Sequence, residues 1–294
     1  MKKKVIVLMS TYNGERHLVE QIESILNQEG VDVRLMIRDD GSNDKTVEIA
    51  RKYTDDVVIG ENIGYRYSFL ELIKNAPEAD FYALADQDDI WLPEKLKSAV
   101  NMICAENRPD TPILYACSRK NLRDGLLYEA KEVRDYKQFR FNAYNNGYHL
   151  QGCTMVFNNR LKQMISFFIP TNLITSHDVW IHQVCKAING LIIYDKRPFL
   201  YYRIENNVIG VPAHRQLNRI KELFKKHKDS DVINLCENLL LGYETHMPKE
   251  NITICKLLIN YRKQKYKVLF RKSLYQGDFV HNLYLFFMLL FDAA

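Results

Sequence analysis

The feature that most restricts what this chain can fold into is an alternation of two hydrophobic periods along its first third. Val5–Met9 is a continuous apolar run of strand length, as a strand covered on both faces requires. A polar turn, Ser10-Thr11-Tyr12-Asn13-Gly14, follows. Leu18, Ile22, Ile25 and Leu26 then recur at helical spacing, and this helix is expected to end near Gly30. Val33–Ile37 repeats the strand signal and closes on Arg38-Asp39-Asp40-Gly41-Ser42. Ser42 or Asn43 stands where a cap would open the helix carrying Val47, Ile49 and Ala50. A short strand at Asp56–Ile59, a helix with Phe69, Leu70 and Ile73 inward, and a strand at Phe81–Ala85 complete the series. Such alternation implies an α/β fold with a mostly parallel sheet flanked by helices.

In sheets of this kind ligands bind beyond the carboxyl ends of the strands. The polar clusters at 10–14, 38–44 and 86–89 all follow strand ends, so topology brings them to one crevice. Asp86, Asp88 and Asp89 crowd like charges there. A hard divalent cation, Mn²⁺ or Mg²⁺, relieves that repulsion, because such ions take oxygen ligands and share them with phosphates. The plainer alternative is a solvated turn in which Asp89 caps a helix begun by Pro93 and Glu94. Thr11, Tyr12 and Asn13 offer an aromatic face and main-chain amides near a helix start. Asp40 is placed to accept a ring N–H of a pyrimidine, although Asp39 and Asp40 also suit a turn, and a lone Tyr12 also suits packing.

Composition narrows the class further. Six cysteines without a CxxC pair argue against a structural zinc site or a secreted disulfide framework, and favour a reducing cytosol. The three lysines before Val5 imitate a signal peptide, but the apolar stretch is too short for one. From residue 214 onward there are 14 Lys and Arg against 8 Asp and Glu, so the basic excess sits in the last quarter of a chain whose net charge is +5. We therefore divide the chain at 213/214, with a basic helical extension over 214–294. Its two basic stretches, His214–Lys228 and Cys255–Lys272, suit either an anionic membrane surface or a solvated face, and could pair two copies of the chain. No nucleic-acid recognition motif accompanies them. The tail NLYLFFMLLF at 282–291 is far short of the roughly 20 apolar residues that span a bilayer.

Taken in order and spacing, VLMSTYNGERHLVEQIESILNQ, RDDGSNDKT, NIGYRYSF and ALADQDDIWLPEKL resemble the family-two inverting glycosyltransferases of the GT-A, Rossmann-like fold. The later QGCTMVFN, SHDVW and YYRIENNVIG resemble the rhamnosyltransferase branch of that family. The resemblance covers about residues 3–213. It implies a nucleotide-sugar donor, dTDP-L-rhamnose first, and a saccharide or lipid-linked saccharide acceptor at the inner face of the plasma membrane. Tyr12 and Asp40 would meet the base, Asp86 and Asp88 would form the metal motif with Asp88 the direct ligand, and Asp178 would be the catalytic base. Without the resemblance, Asp178 reads as the N-cap of a helix holding Val179, Ile181 and Val184; with it, the base is the favoured role. His177 and Trp91 would lie on the acceptor side. The family pattern R-Q-H-G-x-N is replaced by Arg203-Ile204-Glu205-Asn206-Asn207, leaving Arg203 as the phosphate contact, and Ser68 stands where asparagine is common. Readings from other classes are a catalytically silent scaffold on the same fold and a hydrolase with a D-x-D nucleophile. The hydrolase reading fits poorly, since such enzymes carry that motif after their first strand and here it follows the fourth.

Overall fold

The computed structural model describes residues 2–130, 141, 143, 150–204, 229–275 and 282. The chain forms two compact units. One comprises Met1–Lys137, Leu150–Ile169 and Gly190–Asn206; the other comprises Gln138–His149, Pro170–Asn189 and Asn207–Ala294.

The first unit is built on β1 (Lys3–Thr11), β2 (Val31–Asp39), β3 (Val57–Ile59) and β4 (Phe81–Ala85), which run parallel in the order β3-β2-β1-β4. The sheet then continues antiparallel. β8 (Met155–Asn158) lies between β4 and β6 (Ile113–Arg123), and β9 (Leu191–Arg203) runs parallel to β6 and carries the two-residue β5 (Ile90–Trp91) on its far side. β7 (Leu126–Glu129) folds back on β6 as a hairpin. Central placement explains why β1 is an unbroken apolar run. Val5, Val7 and Met9 join the core with Leu18, Ile22 and Ile25 of α1 (Leu18–Leu26), while Ile6 and Leu8, pointing the other way, are buried as well. On α3 (Tyr65–Asn75), Phe69, Leu70, Leu72 and Ile73 turn inward. The expected α/β architecture is therefore the observed one, with antiparallel strands added beyond β4.

Two local expectations are corrected. The first helix stops at Leu26, short of Gly30, and the main chain beyond it bonds to a different segment: Glu29 gives its N–H to Pro93 O (2.9 Å), and the Gln28 side chain donates to Leu92 O (2.8 Å) and accepts from Leu96 N (2.9 Å). Neither Ser42 nor Asn43 caps α2 (Thr46–Ala50). Asp44 accepts from the Thr46 N–H (2.9 Å), while Ser42 gives its hydroxyl and its N–H to the buried carboxylate of Asp39. A carboxylate with no exposure needs those donors more than a short surface helix does.

In the second unit, α6 (His177–Ala187) belongs with the helices Asp229–Tyr243, Lys249–Ile259 and Lys265–Leu269. Asn234 ties the approach to α6, accepting from Ile174 N (3.2 Å) and donating to Asn172 O (3.0 Å). Asn251 donates to the Ala187 carbonyl at the other end (2.9 Å), and the Trp180 and Tyr243 rings meet at 6.0 Å between centroids. The stretch Cys255–Lys272 is not one basic helix. It breaks after Ile259, where Asn260 turns its side-chain amide onto Lys256 O (3.0 Å), passes through a 3₁₀ turn at Tyr261–Lys263, and resumes at Lys265. The expected basic helix at His214–Lys228 lies outside the described residues, as does the apolar tail apart from Asn282. Among the described residues, no helix is long and apolar enough to cross a membrane.

Arg38 is the polar centre of the first unit. Its guanidinium, almost fully buried, contacts Asp40, Ser68 Oγ (3.3 Å), Glu61 O (3.2 Å) and Glu71 (3.3 Å). A methyl group added at Gly60 would sit 2.6 Å from Arg38 Nη2. Since four partners hold that group in place, Gly60→Ala should destabilise the first unit by about 1–3 kcal/mol, the usual range for overpacking. Urea unfolding measures this, and an unchanged midpoint would show that Arg38 can yield.

Candidate active site

Three loops meet at the carboxyl ends of β1, β2 and β4, and side chains bonded to main chain join them. Thr11 ends β1 with its hydroxyl on Asp39 Oδ1 (2.9 Å), so it is a buried tie rather than an exposed contact. Asn13, at φ 48°, donates its N–H to Ser42 Oγ (2.8 Å) and accepts from Asn43 N (2.9 Å). This exchange explains the left-handed backbone, which asparagine tolerates better than most residues. Gln87 bonds Tyr12 in both directions, accepting from its N–H (2.8 Å) and donating to its carbonyl (3.1 Å). The Tyr12 main chain is thus fixed while the side chain stays 46% exposed, available for stacking.

Asp40 is buried. Besides Arg38, it accepts from Ile63 N (3.1 Å) and Gly64 N (2.8 Å). Gly64 takes φ 79°, a conformation few other residues adopt without strain, and so turns its N–H onto that carboxylate. The carboxylate shapes the 61–64 loop and keeps part of its acceptor capacity.

The acidic loop after β4 is fastened from outside. On α1, Gln21 donates to Asp86 O (2.9 Å), and Ser24 Oγ accepts from Trp91 N (3.0 Å). From β9, Arg203 Nε donates to Asp88 O (2.9 Å), its N–H reaches Asp89 Oδ1 (3.3 Å), and Nη2 pairs with Glu20 Oε2 (2.7 Å). The guanidinium expected to meet phosphate is therefore already tied to the acidic loop. Gln21, Ser24 and Gln28, missed as functional in the sequence, share one face of the helix start and its extension. Their spacing of three and four residues, interleaved with the apolar stripe, was the available signal.

Asp86 and Asp88 are half-buried, while Asp89 is fully buried and is not the cap of the following helix, α4 (Lys95–Ala105). Burial, and then the neighbouring charges of Asp86 and Asp88, push the Asp89 carboxyl well above the usual carboxylate range. Ligand atoms of Asp86, Asp89 and Cys153 lie within 4.8 Å of one another, and Asp89 Oδ2 is buried without a hydrogen-bond partner among the described residues. An orphaned buried oxygen beside other acidic donors fits a metal ion, so this cluster can hold one. Trp91, expected at the acceptor, is 2% exposed and belongs to the core; Lys95 Nζ lies 3.3 Å from the centroid of its ring. A cation over that face satisfies the indole as core packing, not as a sugar platform.

In the second unit, Ser176 occupies the N-cap position of α6 and Asp178 its first turn. Asp178 Oδ1 accepts from Val179 N (2.8 Å) and from the Ser176 hydroxyl. His177 and Asp178 are both largely buried, at 5% and 7% exposure.

Comparison with known proteins agrees with this geometry. Glycosyl transferase family 2 matches residues 6–163, and the chain belongs to that family. The chain is 30% identical to the dTDP-rhamnosyl transferase RfbG of Shigella flexneri over 222 residues, 69% of this chain and 73% of that protein. Among solved structures it resembles S. aureus TarS 1–349 in complex with UDP (TM-score 0.56, 18% identity, 90% of this chain and 72% of that one). It also resembles the mannosyltransferase PcManGT of Pyrobaculum calidifontis in complex with GDP-Man and Mn²⁺ (TM-score 0.50, 14% identity, 99% and 88%). At those identities the structures speak for the fold, which is GT-A. The protein is a glycosyltransferase.

Lys95 supplies a test of how dry the floor of the site is. Its ammonium is fully buried without a hydrogen-bond partner among the described residues, and burial draws its pKa down to about 8. The unfolded chain, with lysine near about 10.4, holds more protons between those two values. Stability should therefore rise with pH across that window and fall back as pH drops through the lower value. Lys95→Met should flatten the rise by up to about 1.4 kcal/mol per pH unit. Urea unfolding of both proteins from pH 8 to 10 decides this, since parallel profiles would mean that water reaches the ammonium.

Proposed function

We propose that the enzyme transfers L-rhamnose, with inversion, from dTDP-L-rhamnose to a saccharide or lipid-linked saccharide acceptor. The observation that carries the donor is the 30% identity, over most of both chains, with a dTDP-rhamnosyl transferase. A UDP-hexose donor is the second reading, favoured by the fold's likeness to TarS, whose structure holds UDP.

In this reading Tyr12 stacks on the base and the remaining acceptor site of Asp40 takes its ring N–H. Thr11 and Asn13 shape the nucleotide side through their bonds to Asp39 and Ser42. Asp88 and Asp86 hold Mn²⁺ or Mg²⁺, with Asp89 behind them. When bound, the ion supplies Lewis-acid stabilisation of charge on the departing diphosphate. Arg203 adds charge-assisted hydrogen bonds to the same phosphates. Asp178 takes the proton of the acceptor hydroxyl as its oxygen attacks the anomeric carbon. The bond from that carbon to the diphosphate oxygen breaks on the opposite face, and the nucleoside diphosphate leaves with the electron pair. The hydrogen bonds from Val179 N and the Ser176 hydroxyl to Asp178 Oδ1 support this role by orienting the carboxylate. His177, beside it in sequence, is assigned to the acceptor. A lipid-linked acceptor would bring the basic C-terminal part to an anionic membrane surface, and the same part is where a second copy of the chain would pair.

Nucleotide release from dTDP-L-rhamnose, UDP-glucose, UDP-galactose and UDP-N-acetylglucosamine, with Mn²⁺ and then with EDTA, tests the reading. Turnover should occur with dTDP-L-rhamnose and stop on chelation. Asp88→Asn and Asp178→Asn should each lower kcat by a factor of about 10² or more, as expected for loss of a participating acid–base or charge-stabilising group. Undiminished turnover in either variant would remove that residue from its role, and turnover with a UDP-sugar alone would replace the donor.

A further inference from the structure

Arg203 is usually the kind of side chain that finds its anion by moving. Here it is already placed. Nε lies 2.9 Å from the Asp88 carbonyl and Nη2 lies 2.7 Å from Glu20 Oε2. The Arg203 side chain is 16% exposed, whereas that of Glu20 is 56% exposed. An ion pair with one partner so wet contributes little to stability, so folding alone is a weak reason for Glu20. A guanidinium carries five N–H donors in a rigid plane. Two are spent on Asp88 and Glu20, which fixes the plane and leaves three for an anion.

The neighbour of Glu20 strengthens the case. Gln21, next along α1, donates to the carbonyl of Asp86 (2.9 Å). Two successive residues of one helix turn thus hold both ends of Asp86-Gln87-Asp88, one directly and one through Arg203. We propose that Glu20 is a positioning residue for the donor diphosphate: it orients Arg203 and links that cation to the main chain of the metal-holding loop. The proposal rests on the nucleotide-sugar reading above and adds a residue to it. Its physical content is pre-organisation. Without Glu20, Arg203 would be ordered only when the phosphates arrive, and that entropy would be lost from affinity.

The test is calorimetric titration of dTDP and UDP, and of the matching monophosphates, into the full chain with Mn²⁺. For whichever diphosphate the wild type binds, Glu20→Gln should weaken binding about tenfold, a loss of 1.4 kcal/mol. The monophosphate should stay within about twofold if only the second phosphate depends on Arg203. Retained monophosphate binding also shows that the exposed substitution leaves the fold intact. Arg203→Gln should lose at least as much, and the double variant should lose no more than Arg203→Gln, because both substitutions cut one path. Diphosphate affinity unchanged or improved in Glu20→Gln would overturn the proposal, the second outcome marking Glu20 as a competitor for Arg203. Additive losses in the double variant would overturn it too. Wild-type protein that binds neither diphosphate would instead remove the donor reading, and the proposal with it.

Discussion

The interaction on which the site depends is the mutual repulsion of Asp86, Asp88 and Asp89. A loop with three carboxylates in four residues does not hold itself together in the free protein. Here its main chain is fastened by its neighbours: Gln21 and Arg203 take the carbonyls of Asp86 and Asp88, and Ser24 takes the amide of Trp91. Asp89 is treated differently. It sinks into the core, where burial and its neighbours favour the neutral carboxyl. Three identical residues in one short loop therefore differ in setting: Asp86 and Asp88 are half-buried, and Asp89 is fully buried beside Asp86 and Cys153, the group that can hold a metal ion.

The fold was legible because it rests on apolar periodicity. Phe81–Ala85 falls on the observed strand residue for residue, and Val5–Met9 lies within β1. The convergence of the three polar clusters followed from parallel topology alone. What could not be read was which polar side chain answers which main-chain group. Ser42 looked like a helix cap and instead serves Asp39, and Trp91, expected on the acceptor side, is instead buried in the core with Lys95 over its ring. Local pattern registers that a residue can bond or stack but not which partner it takes: Ser42 and Trp91 meet theirs three and four positions away, whereas Asn13 with Asn43 and Gln21 with Asp86 pair across 30 or more, where no local rule reaches. The break after Ile259 was not read at all, since Asn260 is one of several polar residues in a stretch whose basic, helical composition runs on to Lys272.

The carboxyl end of β2 obeys a different logic from the acidic loop after β4. There the charge is paired from within: Arg38 and Asp40 are both almost wholly buried and face each other. Such a pair is weak evidence for stability, because removing two charges from water costs as much as their attraction returns. Its use is geometric. Arg38 holds the Glu61 carbonyl, Asp40 holds the amides of Ile63 and Gly64, and together they set a four-residue loop that has no regular structure of its own. Ser68, also in contact with Ser10 Oγ at 2.7 Å, completes the ring around the guanidinium. The serine that departs from the family's asparagine is thus a small side chain fitted to a large buried cation.

A common design joins the two sides. In each, a residue with more hydrogen-bond capacity than one partner can use is saturated on one side by the scaffold: Asp40 by Arg38 and two amides, Arg203 by Asp88 and Glu20. A group so held no longer chooses its direction when a ligand arrives, and what remains of its capacity points one way. This accounts for the density of side-chain to main-chain bonds at the ends of β1, β2 and β4, where a crevice shaped by apolar packing alone would have no means of aiming a charge. It also explains why rigid and yielding parts coexist within a few residues. Tyr12 has both main-chain groups bound by Gln87 and a ring left half in water, so its position is settled by the fold while its contact is left to the ligand.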